Sequence, residues 1–299
     1  MRANILLFIA AAIWGFGFVA QRAGMEYVGP FTFNAVRFAL GAITLIPLIL
    51  VKNKSFNWKE NIQSQSNKNV LIYGSIAAGF SLFAATSLQQ SGIVFTTAGK
   101  AGFITGLYVI IVPLLGLTWK EKTHFGTWIG AVLAVFGLYL ISINQATQVL
   151  LGDSLVLGGA FFWAVHVHVI GRFSTKIHPL KLAFIQFAFA SILSLICALM
   201  FETIIMTSIL AAWKSIVFAG VFSVGIAFTL QVIAQQEAHS AHAALILSLE
   251  SVFAVIGGWL ILHEGLSIRG IIGCTLMLTG MLISRSKKIA IQKAKIPER

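Results

Sequence analysis

Residues 4–22 read NILLFIAAAIWGFGFVAQR, and residues 153–172 read DSLVLGGAFFWAVHVHVIGR. Each is an apolar run of about 20 residues, the length a helix needs to cross a bilayer's hydrocarbon core. Neither shows sustained period-two alternation, and both are too long for barrel strands. Eight more such runs follow, at 30–51, 70–91, 96–118, 124–143, 180–201, 212–234, 242–262 and 267–284. The pattern predicts an all-α membrane protein of ten transmembrane helices. Residues 52–69, with their lysines and Gln/Ser/Asn cluster, read as a solvated loop.

Composition agrees. Of 299 residues, 58% are hydrophobic and 10% charged, against about 25% charged in soluble domains. So few charges cannot cover a water-soluble surface, and the chain is neither disordered nor a disulfide scaffold. Cys197 and Cys274 stand alone in apolar runs, with no metal spacing. The first run is longer than a signal peptide's apolar region, and Gln21-Arg22 follows it rather than a small-residue cleavage site.

The net charge of +12 could suggest nucleic acid, but its placement argues for topology. With both termini in the cytoplasm, sixteen of the 21 Lys and Arg fall on that side. Arg22, Lys100, Lys214 and Arg269 fall at the other, and Arg37 lies within the second span. This is the positive-inside bias of a multi-pass inner-membrane protein, and it removes the case for a nucleic-acid partner. Trp119, Trp128, Trp213 and Trp259 lie near span ends, where interfacial anchors belong.

The chain also repeats itself. Trp14 and Trp163 are 149 residues apart, as are Pro30 and Pro179. Gln89-Gln90 matches Gln235-Gln236 at an offset of 146, and Glu121, Gly130 and Gly137 match Glu264, Gly273 and Gly280 at 143. Two five-helix repeats are expected, 1–146 and 147–285, followed by a basic cytoplasmic tail, 286–299. Five is odd, so the repeats are inverted in the membrane. That plan is common among secondary transporters, whose binding site lies near the midplane between repeats.

Ala11-Ala12-Ile13-Trp14-Gly15, Gly29-Pro30-Phe31 through Arg37, Leu249 to Ala254, and His263-Glu264 before Gly270 and Gly273 together carry a family resemblance. Over nearly its whole length the chain resembles the drug/metabolite transporter superfamily, in its EamA-type branch of ten-helix carriers. The resemblance implies a secondary carrier of the inner membrane, often an exporter of amino acids or other small metabolites, working by alternating access around a central cavity. It also implies that the fifth and tenth helices are peripheral, so that Gly130, Gly137, Gly273 and Gly280 serve packing. Ser251 departs from the family pattern, where many members have proline, and the loss of that proline would remove a kink in the ninth helix.

Charges inside spans are costly and should face the interior. Glu250 is the deepest. It could bind a cationic group or exchange a proton in the central cavity, or form a packing ion pair with Arg37 or Lys100. Lys100 could attract a carboxylate or snorkel to the headgroups. Gly99-Lys100 lacks the spacing of a phosphate loop. Arg37 shares a face with Asn34, and Gln186 holds the repeat-equivalent position. Trp14, Trp163 and Tyr108 are cavity-wall candidates. His166, three residues after Trp163, shares its face, whereas His168 points to a packed interface. These two histidines lie about 200° apart on the helix and cannot chelate one ion. His239 and His242 flank a polar turn and are assigned no metal. The Gln89-Gln90 and Gln235-Gln236 pairs are expected to satisfy helix ends.

The residues offer no Ser/His/Asp set, carboxylate pair or zinc motif for an enzyme, no filter-like loop for a channel, and no ATP site. No cofactor is expected. The partners are a small polar substrate and the lipid bilayer. Coupling to protons, to another ion gradient or to exchange stays open, as do the substrate's identity and the oligomeric state.

Overall fold

The computed structural model describes residues 2–55, 68–96, 98–121, 123–142, 151–262 and 268–293. Among these there is no strand. Helices α1 (Arg2–Gly24), α2 (Pro30–Ser55) and α3 (Lys68–Phe95) are followed by α4, in two segments, Ala98–Gly106 and Tyr108–Thr118. Next come α5 (Phe125–Ser142), α6 (Leu151–Phe173), α7 (Pro179–Phe201) and α8 (Trp213–Ala234). Last are α9, in segments Ser240–Leu247 and Glu250–Leu262, and α10 (Ile268–Lys293). Eight of these are long and apolar enough to span a membrane, and α5 and α10 contribute shorter apolar stretches. Lys59, Glu60, Lys122, His263, Glu264 and residues 294–299 lie outside the described residues. The basic stretch expected as a tail begins as a continuation of α10, up to Lys293.

Large apolar side chains cover the outside, among them Ile43, Leu48, Phe80, Phe136, Ile192 and Leu282. Gln21, Asn34, Arg37, Gln90, Gln186 and Glu250 are buried. A water-soluble monomer rarely exposes so much apolar surface. In lipid the arrangement is the stable one, because polar groups must find their partners inside.

Helix pairing follows a regular scheme. The fifth helix packs on α10 and α2 on α7; α1 packs on α8 and α9, and α6 on α3 and α4; α2 also meets α8, and α7 meets α3. This pattern is unchanged when each helix is exchanged with the one five places along. The α5–α10 pair is as close as backbones allow. A Cβ at Gly130 would stand 2.6 Å from the Gly280 carbonyl oxygen, and one at Gly137 2.5 Å from that of Gly273. Close approach of this kind is how helices associate in lipid, where apolar burial gives no drive. The packing role expected of these glycines is what the geometry shows.

Three spans are less regular than their apolar patterns predict. The fourth breaks at Leu107, where bonds tighten to i→i−3 (Leu107 N to Ile104 O at 3.2 Å, Ile110 N to Leu107 O at 3.1 Å). The eighth widens into a π-helix over Phe218–Phe228. The ninth breaks at Ser248 and Leu249 despite the absence of proline. There Leu249 and Ser251 donate i→i−3, and the Ser248 hydroxyl bonds back to Leu245 O at 3.0 Å. Ser251 Oγ donates across to Gly102 O at 2.9 Å. The interruption implied by the family's proline is thus made by serines. Local i→i−3 and π geometry often marks functional segments.

At one end of the bundle, the Glu202 carboxylate beyond α7 caps α2. It accepts from Phe31 N and Thr32 N, each at 2.8 Å, and from Thr32 Oγ1 at 2.6 Å. These donors are among the four a helix start leaves unpaired. Glu202→Ala is expected to cost about 1–3 kcal/mol, read as a lower melting temperature, with Glu202→Gln in between.

Candidate functional site

A pocket, partly open to the outside, lies between the helices of the bundle. Its walls come from α1, α2, α3, α4, α6, α8 and α9, and none from α5, α7 or α10. Trp14, Arg37, Tyr108, Trp163 and Glu250 all line it.

The break in α9 delivers Glu250, the first residue of its second segment. The carboxylate is buried, and Oε1 has no hydrogen-bond partner. Tyr108, just after the break in α4, places its hydroxyl beside this carboxylate, also without a geometrically formed bond. Both interruptions therefore supply polar side chains to the same space.

Arg37 is buried with its guanidinium 5.4 Å from the Phe33 ring centroid and 5.1 Å from that of Phe38. Such contacts favour a cation but do not use its donors, and Nε has no partner. Among the described residues neither Arg37 nor Glu250 forms an ion pair. The packing pair considered from sequence is therefore absent between these two. Lys100 lies in the first turn of α4, and its side chain lies outside the described residues.

The tryptophans are oriented by their N–H groups. Trp14 Nε1 donates to the Ser223 carbonyl in the π-helical part of α8 at 3.2 Å, and Trp163 Nε1 donates to Gln89 Oε1 on α3 at 2.6 Å. Each thus reaches the third helix of the opposite group of five. Phe228 fills the space between them, 4.6 Å from Trp14 and 5.6 Å from Trp163 by ring centroids.

Three expected site residues sit behind this wall. His166 and Gln186 are fully buried and bonded to each other, Nε2 to Oε1, at 2.9 Å. Asn34 is fully buried on α2, with neither amide atom partnered. None of the three is among the residues that line the cavity. Turning His166 toward α7 satisfies one ring nitrogen, which an apolar wall would not. His168 faces packed neighbours, as expected, and is bonded to the Val112 carbonyl.

Gln89 was expected at a helix end. Because α3 continues to Phe95, it lies inside the helix and lines the cavity. Its amide donates to Gln21 Oε1 at 3.3 Å, and Thr105 Oγ1 donates to its oxygen at 3.4 Å. Gln21, Thr105 and Gln231 line the cavity too. Sequence reasoning missed them, although polar residues in otherwise apolar spans are the signal that could have found them. Gln235 instead donates to Val167 O at 2.9 Å. The site therefore presents one buried cation, one buried carboxyl, aromatic walls and a set of amides.

Comparison with known proteins identifies the family and the fold. The EamA-like transporter family profile matches residues 1–143 and 150–286. An uncharacterized transporter of Archaeoglobus fulgidus is 29% identical, over 94% of this chain and 85% of that protein. The uncharacterized transporter YoaV of Bacillus subtilis (strain 168) is 25% identical, over 91% and 92%. A protein crystal structure superposes with a TM-score of 0.77 at 18% identity, covering 98% of this chain and 99% of that one, so the fold is shared. The chain belongs to the EamA-like transporter family and is a multi-pass membrane protein of transporter type.

Proposed function

We propose that the chain is a secondary carrier for a small zwitterionic metabolite, an amino acid or a close relative, moved outward by alternating access. The observation that carries this reading is the unpaired Arg37 and Glu250 in one cavity. A carboxylate can take the guanidinium and an ammonium group the glutamate. Trp14, Trp163 and Phe228 offer apolar surface between them, and the amides of Gln21 and Gln89 offer hydrogen bonds. Charges left without partners in a low-dielectric interior are costly unless a ligand or water completes them.

The two matched segments, the pairing scheme and the crossed tryptophan bonds all support inverted repeats over 1–146 and 147–285. Asn34, His166 and Gln186 then act as support for the wall, and Lys100 is a candidate charge for attracting the substrate's carboxylate. The distribution of Lys and Arg supports cytoplasmic termini in an inner membrane. Glu250 is the cavity's own candidate for proton exchange.

A thermal-shift screen of purified protein against amino acids, organic acids and amines is the first test. At least one zwitterion should raise the melting temperature, and Arg37→Gln should remove that rise. Liposomes should then show saturable uptake with counterflow of the same compound. Stabilisation by amines or organic acids alone would overturn the zwitterion assignment.

A further inference from the structure

Outside the cavity, at the end that carries Asn4 and Ser284, a carboxylate stands between two imidazoles. Glu121 Oε1 is 3.3 Å from His168 Nδ1, and Glu121 Oε2 is 3.5 Å from His239 Nε2. His168 Nε2 lies 2.8 Å from the Val112 carbonyl oxygen. We propose that Glu121, His168 and His239 form a proton-binding site that ties three segments together at this end of the carrier.

The argument begins with the backbone. The fourth helix ends in a Schellman turn: Glu121 N donates to Gly116 O at 2.8 Å and Lys120 N to Leu117 O at 3.1 Å. Lys120 holds the left-handed position at φ 58°, where glycine is usual. This turn swings Glu121 back over the helix toward His168 on α6.

Proton counting follows from the bonds. A carbonyl oxygen only accepts, so His168 Nε2 carries a hydrogen. With that hydrogen alone, Nδ1 holds a lone pair and faces an ionised carboxylate oxygen that also only accepts. Two acceptors at 3.3 Å repel. One further proton, on Nδ1 or on the carboxyl, turns the contact into a hydrogen bond. The Glu121 and His239 side chains are 30% and 38% exposed, while that of His168 is 2% exposed. Water therefore supplies the proton through the outer two groups to a buried one, and the Trp119 indole packs edge-on against the His168 ring, with centroids 4.6 Å apart.

Other titratable groups lie nearby: Lys120 and His124 on the same loop, Arg172 and Lys176 beyond His168, and Glu237 beside His239. His242 lies 3.0 Å from Ser284 Oγ and 3.2 Å from Asn4 Oδ1. The three residues come from the loop leaving α4, from α6 and from the turn between α8 and α9. Val167, next to His168, lines the cavity, as does Tyr108 on α4. Binding a proton thus fastens the loop and the turn to a helix that walls the cavity.

Hydrogen exchange of the full-length protein in nanodiscs tests the site without any flux assay. Its role in a transport cycle rests on the carrier reading; the proton site does not. With labelling times corrected for intrinsic rates, amides of the Glu121 loop and the 235–239 turn should exchange at least about tenfold more slowly at pH 5.5 than at pH 8.5. Glu121→Gln should protect them at both pH values, because its amide donates to a neutral His168 Nδ1. Glu121→Ala should leave them unprotected at both. Equal protection of the wild type at the two pH values would overturn the proposal, and so would a wild-type pH response in Glu121→Gln.

Discussion

Glu250→Gln should lose transport while the protein folds and inserts as before. The substitution keeps the size and one carbonyl oxygen of the side chain and removes its charge. Among the described residues that charge holds no cation, and Oε1 has no partner. No buried ion is therefore orphaned, and the melting temperature should change little. Breaking a buried ion pair by removing one partner costs about 3–5 kcal/mol, so stability separates the two roles considered for this residue. On the ligand side, a hydrogen bond to a charged group is worth about 1.5–3 kcal/mol. At about 1.4 kcal/mol per tenfold, affinity for a zwitterion should fall roughly 10- to 100-fold. The loss is read as a smaller thermal shift with the compound that stabilises the wild type, and as loss of its counterflow in liposomes. Transport at the wild-type rate would remove Glu250 from the mechanism.

The same residue shows how far the sequence could be read. Glu250 and Arg37 were legible because a charge within an apolar span has few low-energy places, and the interior is the main one. The spans were legible for the same reason, since lipid enforces about 20 apolar residues whatever the tertiary packing. The breaks at Leu107 and at Ser248-Leu249 were not. Gly106 before Leu107 was not read as a break signal, and the break in α9 has no glycine or proline beside it but goes with a bond from Ser251 to a distant carbonyl at Gly102. Gln89 was misplaced because its apolar run was drawn to end at 91, whereas the helix continues to Phe95. His166 shares a face with Trp163, but its bond to Gln186 on α7 decides which way the ring turns. The Glu121, His168 and His239 cluster comes from three segments, and no local pattern links them. Sequence periodicity reports burial, while hydrogen-bond partners between helices are set by packing.

Gly15→Ala is expected to damage both the fold and the site, through one methyl group. At this position α1 crosses α9 at the turn that carries Glu250. An added Cβ would fall against the Cβ of Phe253, 2.6 Å from the Glu250 carbonyl oxygen and 2.9 Å from the Ala254 nitrogen. Two of these three atoms are backbone, so no rotamer change clears the space. The helices must separate, and overpacking of this kind costs about 1–3 kcal/mol, sometimes more. The separation also moves Glu250 away from the cavity walls supplied by α1. Melting temperature and ligand-induced shift should therefore fall together, unlike Glu250→Gln, which should affect only the second. Gly17 supplies the control. A Cβ there would meet only Gln21 Nε2 at 3.7 Å and Ser223 Oγ at 4.0 Å, ordinary contact distances. In a helix interior, replacing glycine with alanine gains about 1 kcal/mol of backbone propensity, so Gly17→Ala should hold or raise stability. Equal behaviour of the two variants would show that the contact between α1 and α9 is looser than these distances require, and that Glu250 is held in place by α9 alone.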